Sequence, residues 1–262
     1  MALAPGSGLP TDLASASTPV ARSVAEVVRL ADNAPTLDRL DARSSVCRAC
    51  PRLVAWREEV AETKRASYAQ DVYWGRPVTG WGADKPRIVV TGLAPAAHGG
   101  NRTGRIFTGD RSGDWLYAAL HRAGLATQAT STTARDGQQL IDTRITLGVR
   151  CAPPGNKPTT EERDACSPWL VKELSFLLPT TAVVVVLGGF AWTALLKALR
   201  TAGVVLPTPV PTFGHGVELT LDSGLVLLGC YHVSQQNTFT GRLTEPMLDA
   251  VLLRARHLAG LL

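Results

Sequence analysis

Four short apolar runs constrain the fold of this chain more than any other feature. They are "RIVVTGLAP", "DTRITLGV", "AVVVVLGG" and "LVLLGCYH". Each is continuously apolar where it could have alternated with polar residues, and a stretch with helical periodicity follows each one. A strand that is apolar on both faces has to be covered on both faces. Strands alternating with helices achieve this in a parallel sheet. The expected fold is therefore α/β: a single domain of three α/β/α layers around a central four-stranded parallel sheet. Local signals agree. Ser112 is the expected N-cap of "SGDWLYAALHRAGL" and Gly124 its stop, while Thr159 and Glu162 have capping-box spacing at the next helix. With 262 residues, 45% of them hydrophobic, the chain can bury such a core. Residues 1 to 35 are rich in Ala, Ser, Thr and Pro and poor in large apolar residues, so a disordered or weakly ordered tail is expected before a folded domain over 36–262. The longest apolar stretch, "TAVVVVLGGFAWTALL", is broken by a Gly-Gly pair and falls short of the ~18–20 residues of a membrane span. The N-terminus carries no secretory pattern, so a cytoplasmic location is expected.

In parallel α/β sheets, function gathers in the loops at the C-terminal strand ends. Three unusual segments sit there: "GLAPAAHGGNRTGRIFTGDRSGDW", "CAPPGNKPTT" and the thirteen residues "HVSQQNTFTGRLT". Ordinary strand–helix connections take ~2–6 residues, so the extra length asks for a reason. Asp110, just before a helix, reads as a helix cap or as a working carboxylate. His232, at a strand end, reads as a structural residue or as one facing a cleft. Arg242 and Leu243 suit a phosphate contact and an apolar wedge between bases; alternatively Leu243 packs as a staple on the last helix. The net charge of +5 mildly favours an anionic partner. Cys47 and Cys50 form a C-x-x-C, and Cys151 and Cys166 follow about a hundred residues later. Four converging thiolates would suit zinc or an iron–sulfur cluster; buried unligated cysteines are the alternative. Cys230, inside the last apolar run, reads as a core cysteine.

Taken together, "CRACPRL", "GLAPAAHGGNRTGRIFTGDRSG", "VRCAPPGNKPTTEERDAC" and "HVSQQNTFTGRLT" resemble, in order and spacing over roughly residues 45–260, the uracil-DNA glycosylase superfamily. Within it the chain is most similar to family 5, the B-type iron–sulfur enzymes. The resemblance implies a [4Fe–4S] cluster on Cys47, Cys50, Cys151 and Cys166, structural in role. It implies hydrolytic removal of uracil, hypoxanthine and other deaminated or modified bases from double-stranded DNA after base flipping, leaving an abasic site. It makes His232 the group facing the departing base, Phe107 the aromatic under the flipped base, and the backbone near Ala94 a contact of base or water. Leu93 stands where family 4 has an acid, which directs attention to Asp110 as the substitute. Leu147 stands where related enzymes carry a uracil-reading Asn, implying relaxed specificity. Gln236, Asn237, Arg242 and Leu243 belong to the segment expected against the duplex, with Leu243, Phe239 or Gln236 as the wedge. The implied enzyme is a monomer that binds no membrane and works at the bacterial nucleoid. A non-catalytic protein that binds lesions or abasic sites is the alternative, and an electron-transfer protein a more distant one.

Overall fold

The structure, a computed structural model, describes residues 2–261; Met1 and Leu262, the outer ends of the two expected regions, lie outside them. In chain order the elements are α1 (Val24–Asp32), α2 (Leu37–Ser44), α3 (Pro51–Thr63), β1 (Trp81–Gly82), β2 (Ile88–Gly92), α4 (Gly100–Thr103) and α5 (Arg111–Arg122). There follow β3 (Thr143–Leu147), α6 (Thr160–Leu177), β4 (Val183–Leu187), α7 (Gly189–Thr201), β5 (Glu218–Thr220), β6 (Val226–Cys230), α8 (Gln235–Phe239) and α9 (Glu245–Leu258).

The four expected strands form the parallel centre in the order β3-β2-β4-β6, and every residue in them is buried. The short strands β1 and β5 add antiparallel edges, giving a six-stranded sheet among the described residues. The period of two along a strand explains the continuous apolar runs. Val183, Val185 and Leu187 of β4 face one core with α5 and α9, while Val184 and Val186 face the other with α1, α6 and α7. The three-layer expectation therefore holds.

The start of the chain departs from the expected tail. Helix α1 is capped by the Ser23 hydroxyl, which accepts from the Glu26 N–H, and it buries Val27, Leu30 and Ala31 against α6. Ahead of it, Leu3 N–H donates to the Trp74 carbonyl at 3.0 Å, and Asp12 pairs with the buried Arg76 at 2.5 Å. The helix α5 cap also differs: Asp110, not Ser112, occupies the N-cap and accepts the Gly113 N–H at 2.9 Å.

A buried ionic quartet lies against β3. Asp41 of α2 and Glu173 of α6 each bind both Arg144 and Arg150, at 2.6 to 3.2 Å, and the Thr146 hydroxyl donates to Glu173 at 2.6 Å. Burial alone would raise the Glu173 carboxyl, but the two guanidinium groups hold it below its ordinary value.

Candidate active site

The C-terminal ends of β2, β4 and β6 open into a cleft of about 670 Å³. Asp110, Phe107, Ala94 and His232 all line it, so residues separated by up to 138 positions meet where parallel-sheet topology places a site.

Asp110 sits where loop becomes helix. One carboxylate oxygen, Oδ1, caps α5; the other, Oδ2, lies over Gly99 so closely that a Cβ at residue 99 would overlap it. Burial pushes the carboxyl above its ordinary value, while the Gly113 and Ser112 N–H groups and the Arg102 charge pull it back. Capping and a cleft-facing role are thus compatible, because they use different oxygens.

Phe107 is 7% exposed and holds a left-handed backbone, φ 51°, which an L-residue keeps only when its surroundings enforce it. The enforcement is visible behind it. Arg105 donates to Thr108 Oγ1 at 2.9 Å, to Ser131 at 2.7 Å and to the Asp136 carboxylate at 2.7 Å. This brace turns the Phe107 ring toward His232, with ring centroids 6.0 Å apart.

His232 follows β6. Burial, with no facing charge to offset it, lowers its pKa to about 4, so the imidazole is neutral at neutral pH. Its carbonyl accepts from the Asn237 amide at 2.8 Å. Asn237 therefore works first on the His232 backbone, although it also lines the cleft. The thirteen-residue connection contains the short helix α8, which ends in Phe239. Gln236 is exposed at the cleft, and Arg242 lies over the Tyr231 ring at 4.6 Å.

Two expectations require correction or relocation. Leu243 is 0% exposed and packs in the core beside α9, so its apolar side chain is unavailable to a duplex; the staple alternative describes it. The exposed apolar side chain of this segment is Phe239, at 68%, with Arg111 over its ring. Leu147 pairs with Gly92 in the sheet and is buried in the core behind the cleft, where it offers no polar group.

The residue-by-residue reading missed an aromatic wall of Phe190, Phe213 and Tyr231 on the cleft, and the exposed cations Arg111 and Lys157 at its rim. Lys157 lies in "CAPPGNKPTT" and was accessible to the same strand-end logic. Phe213 comes from an irregular Pro-rich segment that carries no periodic signal.

Cys47, Cys50, Cys151 and Cys166 line one small cavity, bounded also by Leu53, Val149 and Trp169. Arg57 donates to Cys151 Sγ at 2.8 Å, and the Arg150 N–H reaches Cys166 Sγ at 3.4 Å. Burial pushes the Cys50 thiol up to about 12 and raises those of Cys47 and Cys166. Among the described residues, no three His, Cys, Asp or Glu side chains come together as a single-ion site. Four thiols around one cavity are a donor set of the kind that holds an iron–sulfur cluster. Ala94 and Phe190, which line the cleft, pack against the buried cluster of Leu53, Val149 and Cys151 that borders this cavity, so cavity and cleft are neighbours. Cys230 is buried in β6 as a core residue. No helix among the described residues is long and apolar enough to cross a membrane.

Comparison with known proteins places the chain in a family. Residues 79–256 match the uracil DNA glycosylase superfamily. A type-5 uracil-DNA glycosylase of Mycobacterium tuberculosis is 57% identical over 257 residues, covering 98% of this chain and 94% of its own. Type-5 uracil-DNA glycosylases of Thermus thermophilus and Pyrobaculum aerophilum are 51% and 45% identical, over 83% and 82% of this chain and 95% and 90% of theirs.

Proposed function

Because this chain belongs to the uracil-DNA glycosylase superfamily, we propose that it hydrolyses the N-glycosidic bond of uracil in double-stranded DNA and leaves an abasic site. The observation that carries the reading is that Asp110, Phe107 and His232 line one cleft, with the Phe107 and His232 rings 6.0 Å apart. A flipped base stacks on Phe107 and is held by peptide groups near Ala94. As the bond to C1′ lengthens, the base takes the electron pair and the sugar becomes cationic. The neutral His232 imidazole donates a hydrogen bond to the departing base, while the Asp110 carboxylate faces the sugar cation and orients a water molecule. The water oxygen bonds to C1′, and its proton passes to Asp110 and then to solvent.

The apolar Leu147 supports a wider range of substrates, since no amide at that place reads the uracil edge. The cleft volume leaves room for hypoxanthine and modified pyrimidines. Arg111, Lys157 and Arg242 form a cationic rim suited to the phosphates flanking the target. We assign the wedge to Phe239 rather than Leu243, on exposure. Cys47, Cys50, Cys151 and Cys166 would hold a [4Fe–4S] cluster, which when bound supplies a structural cross-link between the start of α3, the β3 exit and α6. One chain supplies every named group, so the proposed unit is a monomer acting at the bacterial nucleoid.

The test incubates the protein with duplexes carrying uracil or hypoxanthine, then cleaves abasic sites with alkali. Strand breaks at the lesion are expected. Tight binding to abasic duplex with no breaks would instead identify a lesion-binding protein. Absorbance near ~400 nm with about four irons per chain is expected for the cluster.

A further inference from the structure

Arg102 does not line the cleft, yet it is bonded to both sides of the gap that holds Asp110. Its Nε donates to the His98 carbonyl at 2.7 Å and its Nη2 to the Gly109 carbonyl at 2.8 Å. These are the residues immediately before Gly99 and Asp110, the two that meet where Asp110 Oδ2 lies over the glycine backbone. The third donor, Nη1, binds Asp71 Oδ2 at 2.6 Å, and the guanidinium lies over the Tyr68 ring at 3.9 Å, so the fork cannot rotate away. Gly109, at φ 74°, leaves the guanidinium the space that a Cβ would fill. A planar group with donors in fixed directions can set the distance between two carbonyls; a flexible ammonium cannot.

We infer that Arg102 is a positioning residue for hydrolysis: by bridging the His98 and Gly109 carbonyls it fixes the gap in which the Asp110 carboxylate faces the reacting sugar. The inference rests on the reading of Asp110 as the carboxylate of the reaction. Arg102 also bears on its charge. Around Asp110 stand Asp114 one turn along α5, Arg111 beside it in sequence, and His232, Lys157 and Arg242 lining the same cleft, while His98, next to Gly99 in sequence, has its Nδ1 on the Tyr73 hydroxyl. Asp114 disfavours the ionised carboxylate and Arg102 favours it.

The test is single-turnover excision from a uracil duplex across pH, comparing wild type, Arg102→Gln, Arg102→Lys and Asp110→Asn, with duplex affinity measured separately. Arg102→Gln should lower the rate constant about ten- to a hundredfold, the scale expected when a reacting group is misplaced by about an ångström. Its acid limb should move to higher pH, with affinity for the duplex unchanged. Arg102→Lys should keep the limb of the wild type, because the charge remains, but a lowered plateau, because the fork is gone. A residue that only stabilises the fold would change the active fraction, read as reaction amplitude, and leave the rate constant and the limb in place. That result overturns the inference, as does a wild-type plateau in Arg102→Lys; the lysine variant decides alone should Arg102→Gln not fold. If Asp110→Asn is inactive while Arg102→Gln behaves as wild type, only the role of Arg102 falls. If Asp110→Asn stays within about threefold of wild type, the reading of Asp110 falls, and the positioning role with it.

Discussion

At the scale of single residues, the two groups proposed to face the reacting bond have both been moved from their ordinary protonation range by burial. Asp110 is raised, so its ionised form costs stability in the fold: the folded state gains most below the ordinary carboxylate value and loses that gain as pH rises through the folded pKa. Asn caps a helix as well as Asp does. Asp110→Asn should therefore lower the excision rate at least ~100-fold while raising the melting temperature near pH 7. The difference in melting temperature should vanish below about pH 4, where the wild-type carboxyl is protonated as well. His232 is shifted the other way, to about 4 from 6.5. Its stabilising effect is complete above pH 6.5 and is lost as pH falls toward 4, because only the unfolded chain protonates readily in that window. His232→Gln should lower the rate ~100- to 1,000-fold, as expected for loss of one donor to a developing anion. The same variant should flatten the fall in urea stability between those pH values.

At the scale of elements, the instructive case is the connection from β6 to α9. Its length sets it apart from an ordinary connection, but its sequence does not say which apolar residue faces outward. Leu243 and Phe239 are four positions apart, both suited to a wedge, and the choice depends on whether the backbone coils in between. It does: α8 turns Phe239 outward, and the Thr244 cap that starts α9 folds Leu243 into the core. Phe239→Ala should slow excision from duplex more than from single strands, since only a duplex has a vacated stack to fill. Leu243→Ala should instead cost about 2–5 kcal/mol of stability, with little change in the duplex-to-single-strand ratio. Elements with strong periodicity, such as the four central strands and the Thr159–Glu162 box of α6, are legible because local pattern and tertiary placement agree. Helix α1 was within reach too, because Ser23 and Glu26 have capping-box spacing, but composition averaged over residues 1–35 hides a nine-residue helix. The Asp110 and His232 candidates are legible from strand-end logic and family pattern. The Phe213 wall and the Arg102 fork are not, because each depends on a contact between loops that no spacing encodes.

At the scale of the whole molecule, a net charge of +5 is modest, and its useful part is local: Arg111, Lys157 and Arg242 surround the cleft. Each phosphate contact contributes about 0.9 to the slope of log affinity against log salt for duplex DNA. Lys157→Gln and Arg242→Gln should each flatten that slope by about this amount for any duplex sequence, whereas Asp110→Asn should leave it nearly unchanged. The buried quartet has a consequence that belongs to the order of synthesis. Asp41 leaves the ribosome about a hundred residues ahead of Arg144 and Arg150, and Glu173 comes later still. Helices α1 and α2 touch each other, but both pack on α6, so their burial is completed only when that helix is made. Helices α1 and α2 are thus translated more than a hundred residues before the helix they pack on. A polypeptide halted before residue 160 would carry its N-terminal helices as exposed apolar segments, ready substrates for chaperones and proteases.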